Sequence, residues 1–264
     1  MPGVFDRTRK KALVRDISSN FNKALSTFFG EREPIVDIAK MQHKGYIDAL
    51  QSCGVEVEIL GELSGHPDCC FVEDTAIIFD DVAVICRPGH PSRANEVHTI
   101  SERLREDFEI KFLSPDAKMD GGDVVFTGNE FLIGRSTRTN DNGINELSEI
   151  ASKYGYSTQV IDVPNSTLHL TTVCSVPRNG MLIVAEGHLK PEQISGFQDV
   201  IWIPNNETYA SNTIALENGK ILVSAGFPIT KQKIEDAGFE PILVEMSEIM
   251  QADGSLTCCS LFIE

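Results

Sequence analysis

The chain has 264 residues and a formal net charge of −16, from 39 Asp+Glu against 23 Lys+Arg. So negative a field excludes a phosphate- or nucleic-acid-binding surface and leaves a cationic partner open. Apolar residues at 41% suffice for a core without disulfide or metal staples, and no linker or composition shift divides residues 1–264, which read as one domain.

The basic start, MPGVFDRTRKKALVR, is followed by no apolar run of signal-peptide length, and no window approaches the roughly 18 apolar residues of a membrane span. Seven cysteines, at 53, 69, 70, 86, 174, 258 and 259, are odd in number and irregular in spacing. That usage fits reduced thiols in a cytoplasmic protein. Adjacent cysteines in a strand point to opposite faces, so the pairs 69–70 and 258–259 are not expected to chelate zinc. A strand is expected at 11–18, a helix over 34–54 and a strand at 55–61.

Five segments then share one shape: strand, turn, strand, helical stretch. The first is FVEDTAIIFDDVAVICRPG (71–89) with a helix over 94–108. The second is GGDVVFTGNEFLIGRS (121–136) with a helix over 140–155. The third is LHLTTVCSVPRNGMLIVAE (168–186) with a short helix at 191–197. The fourth is YASNTIALENGKILVSAG (209–226) with a helix over 230–238. The fifth, GSLTCCSLFIE (254–264), stops after one strand. Turns at Asp80-Asp81, Thr127-Gly128-Asn129, Arg178-Asn179-Gly180 and Asn218-Gly219 argue for hairpins and against a doubly wound parallel sheet, whose strands need long crossovers. The 11–61 segment supplies the missing half of the fifth unit. About 53 residues per unit then predicts a five-bladed α/β propeller of ββαβ units closed by both chain ends.

The heads of the repeats carry Glu73-Asp74, Asp120, His169, Asn212 and Cys258, at successive intervals from Asp74 of 46, 49, 43 and 46 residues. In a ring such positions converge on the axis. Each alone has a bland reading: an inert buried thiol in LTCCSLFI, a core histidine between leucines, a turn aspartate in MDGGD. Together they read as a nucleophile with a general acid/base. More carboxylates than a triad needs suit a reacting carbon that is positively charged, as in a guanidinium.

The stretches FVEDTAIIFDDVAVICRPGHPSR (71–93), MDGGDVVFTGNEFLIGRSTRTNDNG (119–143), LHLTTVCS (168–175) and ADGSLTCCSLFI (252–263) resemble the dimethylarginine dimethylaminohydrolases, members with the arginine deiminases of the pentein propellers. The resemblance implies hydrolysis of asymmetric dimethylarginine or monomethylarginine to citrulline and dimethylamine or methylamine. It implies Cys258 as nucleophile, with Cys259 a position often Met in relatives, His169 as general acid/base and Asp120 as its orienting carboxylate. Glu73 and Asp74 would face the guanidinium, with Phe71 packing near it. Asp68 and the Ala252 carbonyl would meet the α-amine, and Arg93 and Arg138 the α-carboxylate. A loop near Leu25 would cover the site. No metal and no cofactor is implied, and the partner is a small cationic guanidine compound, bound by a monomer or homodimer.

Arginine deiminases carry an aspartate two residues after the histidine, whereas this chain has His169-Leu170-Thr171. The resemblance therefore favours a methylated substrate, because a missing acceptor leaves room for N-methyl groups. Deimination of arginine or another small guanidine compound is the alternative within enzymes. A non-catalytic propeller binding module, as in a ribosome anti-association factor, is the alternative of another class, and it predicts no Cys–His–carboxylate set.

Overall fold

Turn chemistry shapes the blades. Asp80 and Asn218 hold left-handed backbones at two hairpin tips (φ 48° and 60°), a conformation that Asp and Asn tolerate and β-branched residues do not. A computed structural model describes residues 9–264, so the first eight residues of the basic start lie outside the described part.

The chain runs β1 (Lys11–Arg15), α1 (Val36–Ser52), β2 (Glu56–Leu60), β3 (Ala76–Phe79), β4 (Val82–Ile85), α2 (Val97–Leu104) and β5 (Glu109–Phe112). It continues with β6 (Val124–Phe126), β7 (Glu130–Arg135), α3 (Asp141–Lys153), β8 (Ser157–Asp162), α4 (Leu170–Val173), β9 (Cys174–Arg178), β10 (Met181–Ala185) and β11 (Asp199–Ile203). The last part is β12 (Ile214–Ala215), β13 (Lys220–Ser224), α5 (Pro228–Asp236), β14 (Glu240–Val244), α6 (Ser247–Met250) and β15 (Leu261–Phe262). The helix expected at 191–197 is a 3-10 turn, Pro191–Ile194.

These strands form five three-stranded sheets. In each, the first strand pairs antiparallel with the second, and the third returns parallel to it, as in β3-β4-β5 and β6-β7-β8. The fifth sheet joins the chain ends: β15 pairs antiparallel with β1 (Ala12↔Phe262, Leu13↔Leu261), and β1 runs parallel to β2. The architecture is the five-bladed α/β propeller expected from the repeats. The middle strands are almost wholly buried, and apolar clusters fill the space between blades and helices. One such cluster groups Phe79, Phe126, Phe131 and Tyr156, with ring centroids 4.9–5.7 Å apart.

The heads of the repeats differ from simple strand ends. Val72–Thr75, Gly121–Asp123 and Thr257–Cys259 are 3-10 turns, and His169 caps the one-turn helix α4. Helical turns send neighbouring side chains to directions roughly a third of a turn apart, not to opposite faces. The adjacent residues Glu73 and Asp74 are separated this way, and the strand argument used for Cys258 and Cys259 does not describe their actual geometry. Among the described residues, no helix is long and apolar enough to cross a membrane.

Candidate active site

The DGGD segment lets three blades approach. A Cβ on Gly121 would lie 2.0 Å from the Glu73 carbonyl oxygen, and one on Gly122 would lie 2.8 Å from His169 Nδ1 and 2.9 Å from Asp74 Oδ1. Only hydrogen fits at either position. The Gly122 N–H in turn donates to Asp74 Oδ1 at 3.0 Å. Asp120 is fully buried and accepts from the Gly89 N–H at 2.6 Å, His169 Nε2 at 2.9 Å and Arg138 Nη1 at 3.2 Å. The second aspartate, Asp123, accepts from the Leu170 N–H at 3.0 Å and from Ser136 and Thr139 hydroxyls at 2.6 and 2.7 Å. It thereby fixes the backbone just after His169. Asp123 was not among the residues expected in the site, although the repeat of Asp in DGGD was a usable signal.

His169 has Nε2 on Asp120 and Nδ1 3.9 Å from Asp74 Oδ1. Burial alone would lower its pKa, but Asp74, Asp120 and Asp123 outweigh burial and raise it to about 9. It is therefore an imidazolium at neutral pH. Burial pushes Asp74 up, yet His169, Arg93 and the Gly122 N–H bring it below the usual carboxylate range. Arg93 donates to Asp74, through Nε and Nη2 to Glu96 at 2.9 and 2.8 Å, and to the Phe71 carbonyl at 2.8 Å. Its fork is largely spent on the protein. Arg138 spends Nη1 on Asp120.

Cys258 is buried beside the Ser255 hydroxyl, 3.4 Å away. Burial, then Glu73 and Asp74, hold its thiol well above the ordinary cysteine value. The turn that carries it is pinned by Asn212, whose Oδ1 accepts from the Thr257 N–H at 3.0 Å and whose Nδ2 donates to the Thr171 carbonyl at 2.8 Å.

Cys258, His169, Asp74 and Arg93 share one narrow cavity with Arg138, Asp68 and Phe71. Leu25 and Ala252 close it from the outside. Asp120 stands behind His169 and does not line it. The two members of the acidic pair point in different directions beside the reacting groups. Asp74 turns toward His169, whereas Glu73 lies against the Cys258 thiol, accepts from Thr257 Oγ1 (2.8 Å) and borders a second cavity along the propeller axis. Thr171 lines that second cavity too, so its position does not by itself explain room for N-methyl groups.

The cavity measures about 30 Å³, room for on the order of one or two waters. A strap over residues 24–34 covers it. The Asp253 carboxylate, on a left-handed backbone (φ 58°), accepts the N–H groups of Thr27, Phe28, Phe29 and Gly30. Gln251 Oε1 accepts from Glu31 and Arg32, Glu248 from Ile35 and the Arg32 side chain, and Asp68 Oδ1 from Leu25 at 3.0 Å. None of Asp253, Gln251 and Glu248 was expected from sequence.

Asp74, Asp120 and His169 place one ligand atom each within 4.8 Å of the others. Those atoms already face Arg93, Arg138 or one another. An ion would have to displace both arginines, so the donor set does not suit a metal.

The chain matches the family model described as N,N dimethylarginine dimethylhydrolase, eukaryotic, over residues 14–263. It is 36% identical to an N(G),N(G)-dimethylarginine dimethylaminohydrolase of Pseudomonas aeruginosa over 225 residues, 83% of this chain and 86% of that one. It is 31% identical to the enzyme of that name from Streptomyces coelicolor over 255 residues, 96% of each. A solved mutant of the Pseudomonas aeruginosa protein complexed with citrulline superposes with a TM-score of 0.91 at 32% identity, covering 97% of this chain and 99% of that one. The N-terminal domain of ArgZ, an arginine dihydrolase from Cyanobacteria, has a TM-score of 0.85 at 18% identity, with 96% and 97% covered, and shares the fold. The chain belongs to the dimethylarginine dimethylaminohydrolase family.

Proposed function

We propose that this chain hydrolyses N-omega-methylated arginine, asymmetric dimethylarginine or monomethylarginine, to citrulline plus dimethylamine or methylamine. The observation that carries the reading is a buried thiol and an imidazolium on one cavity that Asp68 and Asp74 also line, with Asp120 behind the imidazolium. Such a site suits a guanidinium.

In the proposed reaction the substrate's positive charge beside Asp74 offsets the carboxylates that hold the Cys258 proton, and that proton leaves to solvent. The thiolate attacks the guanidinium carbon and a C–S bond forms. The C–N bond to the methylated nitrogen breaks as His169 gives that nitrogen its proton. A covalent thiouronium remains. His169, now neutral, takes a proton from water, whose oxygen attacks the same carbon. The C–S bond breaks as the remaining hydroxyl proton passes to the departing sulfur, leaving citrulline and the resting Cys258 thiol. Asp120 holds His169 through Nε2 throughout. Asp68 and the Ala252 carbonyl are assigned to the α-amine, and Phe71 to the guanidinium face. Arg138, with donors to spare, is the better candidate for the α-carboxylate than Arg93. Residues 1–264 would act as one catalytic domain in the cytoplasm, a placement supported by seven free thiols.

The test is citrulline release from asymmetric dimethylarginine, monomethylarginine and arginine. Cys258→Ser should abolish it and Cys259→Ser should keep most of it. Full activity in Cys258→Ser, or no citrulline from any of the three, would sink the proposal.

A further inference from the structure

The segment that carries the nucleophile holds a second polar group against the sulfur. Ser255 stands three residues before Cys258, at the entry to the 3-10 turn Thr257–Cys259, and residues three apart around such a turn lie on one side of it. Its Oγ comes within 3.4 Å of Cys258 Sγ, which is its one hydrogen-bond partner among the described residues. Both ends of this short stretch are fixed from the fourth blade. Tyr209 Oη donates to the Gly254 carbonyl at 2.8 Å, and Asn212 Oδ1 accepts from the Thr257 N–H at 3.0 Å. Ser255 is 6% exposed and stands outside the lining of the substrate cavity, so it meets the sulfur from behind.

We propose that Ser255 is a catalytic residue whose hydroxyl donates to the Cys258 sulfur when that sulfur carries charge, a role that rests on Cys258 being the nucleophile of the proposed reaction. The direction of the bond follows from the sulfur's other neighbour. Ionised Glu73 can only accept, and the Cys258 thiol turns its single proton to it. Ser255 is then the donor to Sγ. A neutral thiol is a weak acceptor, while an anionic one is strong. The bond is therefore weak at rest and strengthens as the thiol loses its proton. It weakens again in the thiouronium, whose sulfur is bonded to carbon, and strengthens once more as the C–S bond breaks and its electrons return to sulfur. A group outside the cavity is not displaced by substrate, so it is in place for each of these states.

The other groups around the sulfur leave this task to Ser255. Burial raises the thiol, Glu73 and Asp74 add to it, the Ser255 hydroxyl lowers it, and Cys259 raises it again. Tyr209 is near the same sulfur, with its phenol held neutral by burial. Across the cavity, His169 and Arg138 are both bonded to Asp120, and Arg93 is bonded to Asp74 and Glu96. Asp68 lines the cavity too and adds negative charge. With the resident cations committed to carboxylates, the Ser255 hydroxyl is the donor within reach of Sγ among the described residues.

The experiment compares the whole protein with Ser255→Ala, which removes the hydroxyl and no other group near the sulfur. Losing a hydrogen bond to a charged sulfur should raise the Cys258 midpoint by about one pH unit, read as ultraviolet thiolate absorbance with Cys258→Ser as the blank. Below the midpoint the variant holds about tenfold less thiolate, while its more basic sulfur is about threefold more nucleophilic. Alkylation of Cys258 by iodoacetamide, followed on its peptide by mass spectrometry, should therefore be about threefold slower at each such pH. A smaller side chain opens space, so the slowing does not come from lost access. Ser255→Thr keeps the hydroxyl and should keep the wild-type midpoint and rate. An unmoved midpoint with wild-type alkylation in Ser255→Ala, or an equal shift in Ser255→Ala and Ser255→Thr, would overturn the proposal. With asymmetric dimethylarginine as substrate, the rising limb of kcat/KM should move up with the midpoint. The thiol readouts involve no turnover. A wild-type protein that releases no citrulline would sink the proposed reaction, while absorbance and alkylation still decide whether Ser255 holds the thiolate.

Discussion

Asp253→Asn isolates the strap over the cavity. Thr27 donates to one Asp253 oxygen, Phe29 and Gly30 to the other, and Phe28 to both. Asn keeps one accepting oxygen and presents a donor to the N–H groups on the other side, which are Phe29 and Gly30 in one orientation and Thr27 in the other. It also tolerates the left-handed backbone at φ 58°, so the change adds no backbone strain. At most two bonds to a charged group are lost, at about 1.5–3 kcal/mol each. Water reaching the opened strap reduces the sum to about 3 kcal/mol, roughly 100-fold in the opening equilibrium. Native-state hydrogen exchange reads that equilibrium directly. The amides of residues 27–30 should exchange roughly 100-fold faster, with β4 and β7 unchanged. KM for dimethylarginine should rise more than kcat falls, because closure secures bound substrate. Unchanged protection at 27–30, or an equal loss across all strands, would refute the assignment of Asp253 as the strap's fastening.

Gly122→Ala should cut kcat by about 100-fold with little change in Tm, because the new Cβ would meet His169 Nδ1 at 2.8 Å and Asp74 Oδ1 at 2.9 Å and shift a reacting group; wild-type kcat would show that the ring has room to move. His43 is buried with Nε2 unpartnered, and burial lowers its pKa to about 4. The unfolded chain therefore takes up that proton first, so stability falls as pH drops from about 6.5 toward 4, by up to about 3 kcal/mol. His43→Phe should flatten Tm over that window, and an unchanged slope would show that other groups set it.

The fold was legible because its signals are local. Asp80-Asp81 and Asn218-Gly219 mark hairpins through their own backbone preferences, and each repeat carries the same order of elements. The spacing from Asp74 to Cys258 was also legible, since a ring turns equal intervals into convergence. Direction at those positions was not. Glu73 and Asp74 are adjacent, and only the 3-10 turn at 72–75 decides which faces His169 and which faces the axis. The strap was illegible for a different reason. Its fastening joins backbone N–H groups to a side chain more than 220 residues away, and every residue has an N–H, so no residue type in the strap marks the contact. Arg93 shows the same limit, since its charge is evident in the sequence while its commitment to Asp74 and Glu96 is visible only in the packed structure.

Burial and Asp74 act on the two reacting groups in opposite ways. Burial pushes the Cys258 thiol up and would push His169 down; Asp74 adds to the first effect and reverses the second. The resting site is therefore a thiol beside an imidazolium, not a preformed ion pair. In the proposed reaction an arriving guanidinium changes this selectively. Its charge beside Asp74 removes part of what holds the thiol proton. For His169 the same charge favours loss of the proton, but Asp120, fully buried and 2.9 Å away on the Nε2 side, is out of the cavity and keeps its hold whatever occupies it. The nucleophile is thus released while the acid stays loaded, which is the combination that breaking the C–N bond requires. A neutral isostere of the same shape supplies no charge to Asp74 and leaves the thiol protonated, so the site distinguishes a cation from its neutral analogue at the nucleophile itself as well as at the binding contacts.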